Sequence, residues 1–207
     1  MNPGRSLLAY VGLIGLAVIA GSAPAASAAD KPVVVIETSL GKITVELEPE
    51  KTPVTVENFL KYVDKGYYDN TVFHRVISNF MIQGGGYDKA TMKEKITNPT
   101  IKNESLAKNP NGISNLRGTI AMARRGDPDS ASSQFFINLF DTNKKLDTYD
   151  NAGYTAFGKV IDGMDVVDKI AKVETGTAVL TTPEGEKQPS DDVPVKPVTI
   201  ISIKRKK

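Results

Sequence analysis

The sequence predicts a mainly β protein, a closed eight-stranded antiparallel β-barrel capped by two α-helices. Three observations predict it. About eight short apolar segments are separated by turn signals and long polar loops. Only two segments carry apolar residues at helical spacing. Strands and helices do not alternate as βαβ units would require, which argues against a parallel sheet and for a barrel whose open ends the helices cover.

Val33 to Ile36 is a continuous apolar run, and Ile43, Val45 and Leu47 then alternate with polar residues. Ser39-Leu40-Gly41 lies between them, so the two read as a hairpin. Thr52-Pro53 reads as a helix start, with Thr52 as cap and proline preset for the first turn. Val56, Phe59, Leu60 and Val63 follow at helical spacing, and Gly66 ends the element. Two strands broken near Ser78-Asn79 come next. From Gly84 to Gly118 regularity fades into a long Lys-, Asn-, Pro- and Thr-rich connection. Gly118 to Ala123, Gln134 to Leu139 and Tyr154 to Ile161 read as strands, with a polar loop from Asp141 to Gly153. Met164, Val167, Ile170 and Ala171 mark a second helix, with Asp162 placed to cap it. Val173 to Pro197, with four prolines, reads as loop; Val198 to Ile203 is a last strand, and Lys204 to Lys207 a solvating basic tail.

The chain has 207 residues, which suits one domain plus an extension. Residues 1–28 read as a secretory signal peptide: Arg5, an apolar run from Leu7 to Ala20, and the small-residue site Ala26-Ser27-Ala28. No second charge-flanked apolar stretch follows, so the expectation is cleavage, not a membrane anchor. Residues 29–207 form the folded domain. The 26 basic and 24 acidic side chains nearly balance, which predicts no strong pull toward nucleic acid or an anionic membrane. The chain has no cysteine, so disulfides, thiolate chemistry and cysteine metal sites are excluded. The single histidine, His74, has no second histidine to help hold a metal and reads as a hydrogen-bonded structural group. No metal or cofactor is expected. Gly84 to Gly86 is followed by neither a Lys-Ser/Thr pair nor a helix, so it is no phosphate loop.

The most informative stretch is Thr71 to Tyr87, TVFHRVISNFMIQGGGY. Simple alternation puts Val72, His74 and Val76 on one strand face and Phe73, Arg75 and Ile77 on the other. An arginine among apolar residues is either paired structurally or available to a ligand, and the stretch by itself leaves both readings open.

Three blocks then carry a family likeness: FHRVISNFMIQGGG (Phe73 to Gly86), GTIAMAR with SASSQFFI (Gly118 to Ile137) and FGKVIDGMDVVDKI (Phe157 to Ile170). Together they resemble the cyclophilin-type peptidyl-prolyl cis-trans isomerases, over nearly all of Val33 to Ile203. The leader and the Gly153-Tyr154 pair are similar to the bacterial exported branch. The resemblance implies an eight-stranded barrel with two helices. It implies Arg75 as catalytic arginine and Gln83 as its polar positioner. It puts the proline pocket on Phe80, Met81, Phe136 and Leu146, and a second glutamine at Gln134. The peptide-groove edge falls on Ala123 and Arg124, and Tyr154 stands where many relatives have histidine. The implied substrates are proline-containing segments of unfolded or partly folded exported proteins, handled by a periplasmic or secreted monomer without stable membrane association.

One departure stands out. The family often has an aromatic just before the leucine matched by Leu146, where it strengthens binding of cyclosporin A; here Lys144 and Lys145 precede that leucine. The implied activity is rotation about X-Pro bonds. A binding module or chaperone that grips proline segments, with turnover incidental, is the alternative, and a barrel with a dead site a third. Arg75 separates the first two, because a pure binder has no need of it.

Overall fold

The computed structural model describes residues 31–206. The expected leader, residues 1–28, lies outside the described residues. Eight strands close into an antiparallel barrel in the spatial order β1 (Val33–Thr38), β10 (Val198–Arg205), β3 (Thr71–Ile77), β4 (Met81–Asp88), β6 (Phe135–Asn138), β5 (Thr119–Met122), β7 (Ala156–Asp162) and β2 (Gly41–Leu47), which returns to β1. Two α-helices, α1 (Pro53–Asp64) and α2 (Met164–Ala171), pack on it. The expected architecture is therefore found, with additions.

Alternation along the strands decides what is inside. Val34 and Ile36 of β1, Ile43, Val45 and Leu47 of β2, Ile120 and Met122 of β5, and Phe135 and Ile137 of β6 share one buried cluster. Phe59 reaches into it from α1, its ring 5.3, 5.8 and 5.1 Å from those of Tyr68, Phe135 and Phe157. Val167 and Ile170 of α2 join the same cluster. The residues between, Met81, Ala121 and Phe136, point outward into a second cluster.

Both helix starts differ from expectation. Thr52 does not cap α1; its hydroxyl donates to the Glu48 carbonyl (3.3 Å). The cap comes from the long loop, where the Glu104 carboxylate accepts from the backbone N–H groups of Val54 (3.2 Å) and Thr55 (2.8 Å). A full negative charge meets the positive end of the helix better than a hydroxyl. Asp162 does not cap α2, because it is the last residue of β7 and pairs with Thr44. Gly163 is the N-cap, at φ 87°, in the left-handed region, where a side chain would collide with the Lys42 carbonyl.

Three further expectations are corrected. Val173 to Pro197 is not plain loop: it holds a hairpin of β8 (Thr175–Thr181) and β9 (Lys187–Pro194). Its strands are largely exposed and so lack the apolar alternation that marks the barrel strands; Pro189 and Pro194 are tolerated because a two-stranded ribbon consists only of edges. Asp141 to Gly153 contains two 3-10 helices, Asp141–Asp147 and Tyr149–Asn151. The basic tail is part of β10 as far as Arg205, whose guanidinium binds both oxygens of Asp64 on α1 (2.7 and 2.8 Å).

Candidate active site

The site is built on the outer face of β4, β6 and β5. Because Ile82, Phe135, Ile137 and Ile120 point inward, Met81, Phe136 and Ala121 must point outward. They form a cluster with Leu146 and Ala156, against which Phe80, Ala123 and Tyr154 pack, together with Ile77 and Ile113. Six of the residues named from sequence thus meet in one place: Phe80, Met81, Ala123, Phe136, Leu146 and Tyr154. Ile77 and Ile113 complete the floor. Ile77 was detectable, since it lies directly opposite Met81, whereas Ile113 sits in the irregular loop with no periodic signal.

Arg75 reaches this face through an irregularity. Phe73 pairs with Gly84 and Arg75 with Gln83, so His74 is an extra residue in β3. Simple alternation placed Phe73 on the side of Arg75; the bulge instead puts Phe73 inside with Val76 and Arg75 outside with Ile77. The Arg75 side chain is 44% exposed, and its charged partner among the described residues is Asp192 of β9, 4.0 Å from Nε. A half-exposed pair at that distance is worth at most about 1 kcal/mol, so the guanidinium is not locked away from a ligand. Gln83 stands opposite Arg75 in the ladder, on the same face. Its Nε2 donates to Gln134 Oε1 (3.0 Å), Gln134 being itself turned toward the strand by a bond from its Nε2 to Glu94 (2.8 Å). Gln83 Oε1, the atom able to accept from a guanidinium, receives no hydrogen bond from Arg75 among the described residues. Arg125 lies 3.7 Å from the other Glu94 oxygen.

His74 is buried beneath Tyr87, with ring centroids 4.5 Å apart. Its Nδ1 has no hydrogen-bond partner among the described residues. Burial holds the imidazole down at about 4, so it is neutral near pH 7. A cleft of about 660 Å³ runs from Gln83, Ala123 and Gln134 to the tip of the β8–β9 hairpin at Glu186 and Gln188. The apolar floor of Met81, Phe136 and Leu146 lies beside this cleft and does not line it.

A buried polar network holds the floor from below. Asn143 donates to the Phe80 carbonyl (2.7 Å) and to Asn138 Oδ1 (2.8 Å). Asn138 donates to Asn115 (3.1 Å) and Thr119 (2.9 Å), and Asp147 accepts from Asn115 through both its backbone (2.7 Å) and side chain (2.9 Å). Asn143 and Asp147 flank Leu146 on the first 3-10 helix, so the network sets where that leucine sits. These supports escaped sequence reading because isolated asparagines in a loop carry no pattern. At the rim, the Arg124 guanidinium lies over the Tyr154 ring (4.5 Å) and donates from Nε to the Gly153 carbonyl (2.9 Å). Burial raises the Tyr154 hydroxyl above its ordinary value, so it remains protonated.

A closed barrel with an apolar floor and an outward arginine on its outer wall defines a class of protein that carries its candidate site on the barrel surface rather than in its interior. Comparison with known proteins identifies the class. The profile of the family "Cyclophilin type peptidyl-prolyl cis-trans isomerase/CLD" matches residues 33–205. The chain is 48% identical over 189 residues to a peptidyl-prolyl cis-trans isomerase of Acinetobacter baylyi, covering 91% of this chain and 93% of that one. It is 45% identical to peptidyl-prolyl cis-trans isomerase A of Dickeya dadantii, over 97% and 96% of the two chains. A crystal structure of a Cryptosporidium parvum cyclophilin-type isomerase superposes with a TM-score of 0.65 at 25% identity, covering 86% of this chain and 98% of that one. The chain belongs to the cyclophilin-type peptidyl-prolyl cis-trans isomerases and is an enzyme of that activity, acting on proline-containing polypeptides.

Proposed function

We propose that Arg75 is the catalytic group of this isomerase, that Phe80, Met81, Phe136 and Leu146 anchor the proline ring, and that the clients are exported proteins. The X-Pro bond rotates over a barrier of roughly 18–20 kcal/mol, set by amide resonance. A turnover near ~10² s⁻¹ requires a barrier of about 14–15 kcal/mol, so roughly 5 kcal/mol must be removed. No covalent bond is made or broken and no proton is consumed. At the twisted transition state the prolyl nitrogen regains a lone pair that the planar ground state lacks. A donor aimed at that nitrogen binds the twisted form selectively, which is what lowers the barrier. Arginine suits the task, since it is always charged and its donors form a rigid fork.

The observation that carries this reading is the placement of a half-exposed, weakly paired guanidinium on the same outer face as the apolar floor. The floor binds ground and transition states alike and so serves affinity, about 1.5–3 kcal/mol for a ring of that size. Gln83 and Gln134 line the adjoining cleft with Ala123 and Arg124, where the chain flanking the proline would run. Neither backbone group of Arg124 is bonded among the described residues, which leaves both free for such a chain. The export signal read at residues 1–28 supports work in a periplasm, or outside a cell that lacks an outer membrane.

The test is a proline-limited refolding assay on Arg75→Ala. The expected result is a fall in kcat/KM of about 10²-fold, comparable to loss of one oxyanion donor, with peptide binding retained. An unchanged rate would remove Arg75 from the mechanism and favour a proline-segment binder.

A further inference from the structure

Asp192 meets Arg75 from an element outside the barrel. Along the β8–β9 hairpin, Gly176 pairs with Val193 and Ala178 with Ser190, so Asp191 and Asp192 together oppose Thr177. The two carboxylates part there. Asp191 accepts a bond from the Thr177 hydroxyl (2.7 Å). Asp192 turns the other way, toward β3, and comes within 4.0 Å of Arg75 Nε.

Two independent features mark Asp192. The first is which nitrogen it faces. Nε is the inner nitrogen of the guanidinium, so a carboxylate there restrains the side chain while leaving both terminal NH2 groups for a substrate. The second is its backbone. Asp192 sits at φ 62°, in the left-handed region that glycine fills without strain. Aspartate, like asparagine, visits this region readily, so the bulge can carry a carboxylate there at little backbone cost. Gln83, opposite Arg75 in the sheet, gives its Nε2 to Gln134 and makes no hydrogen bond to the guanidinium among the described residues, so Asp192 is the charged group that meets Arg75 there.

We propose that Asp192 is a positioning residue: it holds the Arg75 guanidinium by its Nε side, aimed over the floor, and thereby couples the hairpin to turnover. This rests on the reading of Arg75 as the catalytic group. Asp192 touches no substrate in this scheme; it acts through Arg75.

The experiment compares Asp192→Asn, Asp192→Gly and Asp191→Asn with the unaltered enzyme, measuring kcat, KM and Tm. Asparagine and glycine both accept the left-handed backbone, so the hairpin is kept. Asp192→Asn should lower kcat about two- to five-fold with KM unchanged, the scale of a weak exposed pair realised in the transition state. The difference should shrink as salt rises from about 0.05 M to about 1 M. Asp192→Gly should lose the same turnover while holding or raising Tm, which separates positioning from stability. Asp191→Asn should leave kcat unchanged. In an Arg75→Lys background, Asp192→Asn should add no further loss. An unchanged or raised kcat in Asp192→Asn overturns the proposal, as does a loss that follows Tm. If Arg75→Ala loses turnover and Asp192→Asn does not, only this proposal fails. If Arg75→Ala keeps its rate, the reading of Arg75 fails as well.

Discussion

Glu104 caps Thr55. The carboxylate accepts bonds from the Thr55 backbone N–H and hydroxyl, both at 2.8 Å, and so ties the long loop to the start of α1. Loss of this tether leaves helix N–H groups unpaired. Glu104→Ala should cost about 1–2 kcal/mol in urea unfolding, or roughly 2–8 °C in Tm for a chain of this size. Thr52→Ala, by contrast, should cost less, since the Thr52 side chain makes no cap bond to the helix. The opposite ranking would return the cap to Thr52.

His74 makes stability depend on pH in a window of its own. Its folded value is held at about 4 by burial, below the ordinary 6.5. Below the ordinary value the unfolded chain takes up a proton that the folded chain refuses, so stability is complete above about pH 6.5 and falls as pH drops toward 4. The loss reaches about 3 kcal/mol at most and stops growing below 4, where the folded state also protonates. Asp64, held down chiefly by its bond from Arg205, and Asp129, chiefly by Lys102, lose their contributions only at lower pH, from about their ordinary 3.8 downward. Urea unfolding at several pH values should show the decline between 6.5 and 4 in the natural protein and not in His74→Phe. Because His74 is the chain's single histidine, a decline that persists in the variant would assign the effect elsewhere.

Asn143 should govern the floor without touching substrate. Its amide bonds both the Phe80 carbonyl and Asn138, and it stands three residues before Leu146. Asn143→Ala leaves the buried Asn138 Oδ1 unpaired and removes one of the two donors to the Phe80 carbonyl, which keeps the Leu139 N–H, at a cost of about 1–3 kcal/mol. With Leu146 and Phe80 less firmly placed, KM for a proline peptide should rise more than kcat falls. Steady-state kinetics at a temperature well below Tm separates this from simple unfolding.

Lys145 occupies the rim where the family resemblance implies an aromatic. Its ammonium lies 5.9 Å from the Phe80 ring centre, and both Lys144 and Lys145 are exposed. Without an aromatic there, the protein should be poorly inhibited by cyclosporin A, and Lys145→Trp should tighten inhibition. Titration of the isomerase assay with cyclosporin A checks both. Strong inhibition of the unaltered protein at nanomolar drug would refute the expectation.

The sequence alone determined the barrel and the two helices, because these rest on short-range regularities, while the floor residues Phe80, Met81, Phe136 and Leu146 were named by the resemblance of three sequence blocks to a family. Alternation of Ile82 with Met81, and of Phe135 and Ile137 with Phe136, already sorts inside from outside. Helical spacing in α1 and α2 does the same for Phe59 and Val167. Only the tertiary structure decided what depends on a partner distant in the chain. The bulge at His74 reverses the face of Phe73 because β4 sets the register. Glu104 supplies the side-chain cap bonds that Thr52 does not, and the Gln83 Nε2 is committed to Gln134, with no bond from Gln83 to Arg75 among the described residues. The β8–β9 hairpin was illegible because exposed strands bury too little apolar surface to impose a pattern, yet it delivers Asp192 to Arg75. Local pattern records which face of an element is buried; it does not record which polar groups, dozens of residues apart, meet once the faces are closed.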